Sequence, residues 1–245
     1  MILIIGSNHD DVLYYESLLK NPREEVVLNH YHLIIGTIAS EEVMVVQDVY
    51  TSYVSGILAS YLINKYVISL VINVGRCELV RGGLKVGDIV VSEANIFADV
   101  DQINVVKGTE LGQIPNHPRV FHTPLPVLNT MNNCLKKVSS HMHYGATFLS
   151  SSFFRQNKEY VRNLEKDTYV QSLSQNIVLD GESSGIHLAC FLNDIPAVTV
   201  KVVEAKYGEY TTLDHYLLIL EEYASLGKAI ANFIGEISRT DMERM

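Results

Sequence analysis

The run Val67-Ile68-Ser69-Leu70-Val71-Ile72-Asn73-Val74 is followed by Gly75-Arg76-Cys77-Glu78 and then by Leu84-Lys85-Val86-Gly87-Asp88-Ile89-Val90-Val91-Ser92. A continuous apolar, β-branched run has the composition of a strand buried on both faces. Asp88 to Val91 reads as a second strand after the turn at Lys85-Val86-Gly87. On either side of this run, helix-like and strand-like stretches alternate. Ile2 to Ile5 is a strand closed by Gly6-Ser7-Asn8, and Asp10 and Asp11 open a helix through Lys20, acids suiting a helix N-terminus. His32 to Thr37 and Glu42 to Val46 read as strands, and Thr51 to Lys65 as a helix capped at Thr51. Thr147 to Leu149, Ile177 to Leu179 and Pro196 to Val203 read as strands, Ser183 to Leu192 and Thr212 to Ile237 as helices. Phe97 to Pro126 carries four prolines and breaks the pattern, as functional segments inside compact domains often do. Such alternation predicts an α/β protein, a sheet covered by helices, as one domain over residues 1–237 with a polar tail at 238–245.

Composition narrows the function. A net charge of −9 over 245 residues lacks the basic footprint of a nucleic-acid binder. The three cysteines are widely spaced and form no metal-type pair, which fits reduced thiols in the cytoplasm. No H-x-x-x-H or H-E-x-x-H pattern occurs, so neither a metal nor a cofactor is expected. The apolar start is short and reads as a buried strand, and no run of about 20 apolar residues predicts a membrane span.

Ligands of open α/β sheets gather beyond the carboxyl ends of strands, and four such ends carry polar groups. Gly6 to Asp11 offers close backbone approach and a carboxylate base, or a turn with a helix cap. Arg76 can hold an anion, or pair with Glu78 at the surface. Phe153 and Phe154, after Ser150-Ser151-Ser152, can sandwich a planar base or pack in the core. Asp180-Gly181-Glu182 can accept hydrogen bonds from sugar hydroxyls, or cap a helix.

The order of these fragments resembles the bacterial methylthioadenosine/adenosylhomocysteine nucleosidases of the nucleoside phosphorylase superfamily. Asn73-Val74-Gly75 and Leu84 to Ser92 fall in register with that family's N-T-G-S-A-G-G and L-K-V-G-D-I-V-V-S. Gly112-Gln113-Ile114-Pro115 resembles its G-Q-L-P, Asp180-Gly181-Glu182 its E-M-E, and Pro196 to Lys201 its P-F-V-V-V-R. The resemblance implies a three-layer α/β/α sandwich around a mixed, curved sheet, and a homodimer in which each pocket borrows from its neighbour. It implies hydrolysis of a purine nucleoside's N-glycosidic bond, with a small-molecule nucleoside as ligand. Residue by residue, it implies that Glu182 binds the ribose hydroxyls, that Phe153 and Phe154 pack on the base, that Asp11 stands where the water-activating glutamate sits, and that Asn8 replaces a methionine contacting the sugar. Lys201 stands for an arginine and loses its bidentate fork.

The chain departs from the pattern at two places. The family's catalytic aspartate position holds Ala205, beside Glu204; adjacent side chains of a strand face opposite ways, so Glu204 substitutes only if the strand bulges there. Arg76-Cys77-Glu78-Leu79 replaces S-A-G-G, removing both glycines. These changes leave a non-catalytic nucleoside-binding or interaction protein, and a phosphorylase-type transferase using Arg76 and Lys201 as anion contacts, as the alternatives.

Overall fold

The computed structural model describes residues 1–47, 49–138, 143–152 and 158–237, with the side chain of His143 excepted. Among the described residues, ten strands form one mixed sheet: β1 (Ile2–Gly6), β2 (Lys20–Val27), β3 (Tyr31–Ile38), β4 (Glu41–Val46), β5 (Leu70–Arg81), β6 (Ile89–Phe97), β7 (Phe121–His122), β8 (His143–Ser150), β9 (Ile177–Asp180) and β10 (Ala197–Lys206). The helices that accompany them are α1 (His9–Leu18), α2 (Ser52–Lys65), α3 (Leu125–Val138), α4 (Lys158–Lys166), α5 (Thr168–Leu173), α6 (Ser183–Leu192) and α7 (Leu213–Ile237).

The strand order is β10-β6-β8-β9-β5-β1-β4-β3-β2, with β7 beside β6. β10 also pairs with β5, in parallel, so the sheet curls until five strands close a ring and β1, β4, β3 and β2 extend from it as an open wing. Alternation of side chains sorts the core. Ile2, Ile4, Ile72, Val74, Val200 and Val202 face α1, α3 and α7. Leu3, Ile5, Val71, Met44 and Val46 face α2 and α6. Each such side chain fully buried contributes about 1.5–3 kcal/mol. This is the expected layering of helices on both faces of a mixed, curved sheet. Cys77, Val90, Phe148, Val178 and Val203 fill the ring, and Ile96, Leu149 and Leu179 pack outside it on α4 and α5.

The structure changes several sequence readings. The strand expected to end at Val74 continues to Arg81, because residues beyond Gly75 pair with β10 on one side and β9 on the other. Gly75 makes this passage possible: at φ +138° it bears no Cβ, and one would stand 3.0 Å from the Asp11 carboxylate. The helix expected to reach Lys20 stops at Leu18, and Lys20 opens an exposed edge strand, β2, whose charges disguise it. Helices α3, α4 and α5 carry no cue that the sequence reading used. The stretch between Phe97 and Leu125 is irregular as expected, apart from the two residues of β7. The tail at 238–245 lies outside the described residues.

Candidate active site

Ser7, Asn8, Asp11, Tyr50, Thr51, Arg76, Ser151, Ser152, Gly181, Glu182 and Glu204 line a cavity of about 280 Å³. Ser7, Ser151 and Gly181 follow the carboxyl ends of β1, β8 and β9, where α/β sheets assemble their sites. Arg76 projects from the middle of β5, made available because that strand continues past Gly75.

Glu204 enters through a bulge. In the β10–β5 register Val203 pairs with Cys77 and Ala205 with Glu78, so Glu204 is the extra residue between them. A bulge re-aims the side chain it carries, and Glu204 reaches the cavity while Ala205 stays buried. The condition that the sequence set for Glu204 is met. Its Oε2 accepts a 3.1 Å hydrogen bond from the Thr211 hydroxyl and lies 3.8 Å from an Arg76 Nη1.

Asp11 sits in the first turn of α1 with 2% of its surface exposed. Its Oδ2 accepts the Asn8 backbone N–H at 2.9 Å, its Oδ1 accepts the Tyr223 hydroxyl at 2.5 Å, and Arg76 Nε lies 3.7 Å from Oδ1. Arg76 therefore pairs with Asp11 and Glu204, not with Glu78; Glu78 is buried and accepts from the Gly208 N–H. Burial works against the guanidinium's charge, but the Asp11 and Glu204 carboxylates outweigh it and raise its pKa. Asn8 accepts a 2.9 Å hydrogen bond from the Tyr50 hydroxyl, which fixes its amide at the cavity wall.

Glu182 shows one face to the cavity and the other to a buried charge cluster. Lys201 Nζ lies 2.8 Å from Asp180 Oδ2 and also bonds Glu182 Oε1, which accepts the Ser7 hydroxyl at 2.5 Å. Lys201 and Asp180 have essentially no exposed surface and do not line the cavity. The structure sets these two expected site residues below the cavity wall. Asp180 is engaged by Ser150, the Ser183 N–H and Lys201, holding the start of α6, and Lys201 lies beneath the cavity floor. Burial disfavours the lysine's charge, yet the two carboxylates hold its pKa above the usual value. Burial raises the pKa of Glu182, and Asp180 adds to this against the opposing pull of Lys201.

The structure thus brings Asn8, Asp11, Arg76, Glu182 and Glu204 to one cavity, while Phe153 and Phe154 lie outside the described residues. Ser7, Tyr50 and Ser152 escaped the sequence reading as site residues. The loop after β1 and the serine run after β8 were visible signals for the first and last; Tyr50 had none.

Comparison with known proteins agrees with this architecture. The 5'-methylthioadenosine/S-adenosylhomocysteine nucleosidase of Buchnera aphidicola subsp. Acyrthosiphon pisum (strain APS) is 25% identical over 190 residues, 78% of this chain and 78% of that protein. That of Staphylococcus aureus (strain bovine RF122 / ET3-1) is 25% identical over 207 residues, 83% and 85% of the two chains. Among solved structures, the nucleosidase from Neisseria meningitidis in complex with methylthio-immucillin-A superposes with a TM-score of 0.83 at 17% identity, covering 96% of this chain and 98% of that one. The nucleosidase from Colwellia psychrerythraea 34H in complex with adenine gives 0.83 at 20% identity, covering 96% and 94%. The sequence profile of the Phosphorylase superfamily matches residues 1–238, and the chain belongs to that superfamily.

Proposed function

We propose that this protein hydrolyses the N-glycosidic bond of a purine nucleoside. The observation that carries the reading is the convergence of Asp11, Glu182 and Glu204 on one small cavity, the last delivered by the β10 bulge. The relatives' activity as nucleosidases supports it. As the bond to the base breaks, positive charge develops on the ribose, and carboxylates fixed around it favour that state over the ground state. In this reading Glu182 accepts hydrogen bonds from the ribose hydroxyls, Asp11 takes a proton from the attacking water, and Glu204 delivers a proton to the departing base. Arg76 sits between Asp11 and Glu204 and pairs with both.

The charge balance favours water over phosphate as the nucleophile. With Glu204 carrying the proton it delivers, the cavity wall still holds two carboxylates, Asp11 and Glu182, against one guanidinium, and Lys201, the other candidate anion contact, is committed to Asp180 and Glu182 beneath it. A phosphate dianion would meet net repulsion there. The pairing of Arg76 with both Asp11 and Glu204 is the one observation that favours a second reading, a binding protein whose catalytic carboxylates are neutralised. One experiment separates them: mass-spectrometric detection of free base from a nucleoside panel, with and without phosphate, beside Glu182→Ala. Phosphate-independent release, lost in the variant, is expected; silence of the folded protein across the panel overturns the enzyme reading.

A homodimer is part of the same proposal. An apolar groove of about 740 Å³ runs along α2 and α6, and Tyr53 (58% exposed), Ile57 (68%) and Leu192 (60%) stand open to solvent beside it. Apolar surface of this kind on paired helices suits burial against a second copy.

A further inference from the structure

Asp11 is held by a helix 212 residues further along the chain. One face of α7 docks on the first turns of α1 through three positions. The Tyr216 hydroxyl donates to Asp10 Oδ2 at 2.6 Å, and the Tyr223 hydroxyl donates to Asp11 Oδ1 at 2.5 Å. Gly227 completes the face, because a Cβ there would collide with the Tyr14 ring. Positions 216 and 223 are two turns apart and 223 and 227 one turn, so all three share a stripe of the helix.

The two oxygens of Asp11 are thereby gripped from different elements, Oδ2 by the Asn8 N–H and Oδ1 by Tyr223. Rotation of the carboxylate about its Cβ–Cγ bond breaks one or both bonds. Without the phenol, the nearest charged donor to Oδ1 is Arg76 Nε at 3.7 Å, and the carboxylate would swing toward it. Tyr223 stands behind Asp11 and is not part of the cavity wall. It is itself buried, and burial together with the Asp11 charge raises its pKa well above the usual value, so the hydroxyl remains a donor.

We infer that Tyr223 is a positioning residue: its hydroxyl fixes the orientation in which Asp11 meets the attacking water, without itself touching substrate. This rests on the reading of Asp11 given above. The same hydrogen bond ties the geometry of the cavity to the seating of α7 on α1.

The test uses the full chain as wild type, Tyr223→Phe, Asp11→Asn, the double variant and Tyr216→Phe. Base release is followed with whichever of methylthioadenosine and adenosine the wild type turns over faster, and melting temperatures are measured alongside. Tyr223→Phe is expected to lower kcat about 10- to 100-fold, as misplacement of a catalytic group does, with KM held within about twofold. In the Asp11→Asn background it should cost nothing further. Tyr216→Phe removes an equivalent bond from Asp10 and should leave kcat within about twofold of the wild type. A kcat for Tyr223→Phe within about twofold of wild type overturns the inference, as does an equal loss in the Asp11→Asn background or an effect confined to KM. Absence of wild-type turnover across the whole nucleoside panel overturns the reading of Asp11 as well, and so is distinguishable from failure of the inference alone.

Discussion

Lys201 Nζ lies 2.8 Å from Asp180 Oδ2, with both side chains shut away from solvent beneath the cavity. Each supports the other: a lone ammonium or carboxylate at this depth would be costly to bury, and the pair survives because Glu182 and the Ser183 N–H complete its bonding. Lys201→Met leaves two carboxylates facing each other without a counter-ion. It should destabilise the fold by about 3–5 kcal/mol in urea unfolding, the usual cost of breaking a buried pair from one side. A loss below about 1 kcal/mol would show that the cluster is more hydrated than its burial implies.

Glu204→Gln should reduce kcat by about 100- to 10,000-fold, the worth of a general acid, while KM moves little. Steady-state kinetics of base release decide it. The amide is nearly isosteric, so the Thr211 contact survives and the unfolding midpoint should stay close to wild type. Unchanged kcat would remove Glu204 from the proton path.

The pH profile reports on Glu182. Its carboxylate must be ionised to accept hydrogen bonds from sugar hydroxyls, and burial raises its pKa above the ordinary 4.5. As pH falls, kcat/KM should therefore begin to drop at a pH above that of an ordinary glutamate. For stability the sign is opposite to that of a salt-bridged acid with a depressed pKa: the folded state holds the proton more tightly, so this contribution is full below the unfolded value and is lost as pH rises through the folded one.

His187 acts in the other direction. Buried against Thr199, it has its pKa lowered by burial from 6.5 to about 4. Between these values the unfolded chain binds the proton and the folded one does not, so stability is complete above 6.5 and falls as the solution is acidified towards 4. The difference amounts to about 3 kcal/mol across the window. Urea titrations at pH 7 and pH 5 should show wild type losing more stability than His187→Gln over that interval; equal losses would sink the assignment.

Ile57→Glu places a charge in the apolar groove on α2. Sedimentation velocity should find the wild type as a dimer and the variant shifted to monomer, with the unfolding transition of each chain retained. A monomeric wild type would remove the self-association reading.

Much of this architecture was legible because burial writes itself into residue order. The bounds read for α6, Ser183 to Leu192, are those observed, since an apolar helical run there is closed on one side by Glu182 and on the other by Asn193. The site was legible only in part. Asn8, Asp11, Arg76, Glu182 and Glu204 were named and do meet at the cavity, but no local pattern shows that Lys201 and Asp180 lie below it, because depth depends on what covers a strand. Glu204 needed a bulge, and a bulge is a property of two strands in register, not of one. Tyr223 was unreadable for a related reason: its tie to Asp11 joins opposite ends of the chain through helix packing. The charged strand β2 was missed because an edge needs no apolar face in its own right.

Ring closure between β10 and β5 has a consequence for life in a concentrated solution. It leaves β2 as the only long strand, among the described residues, with an unpaired side. There Pro22 offers no backbone donor, and Lys20, Arg23, Glu24 and Glu25 impose a hydration and charge cost on any incoming strand. Growth by strand addition is thus opposed at the one long open edge among the described residues, whereas the helical faces carry no such guard.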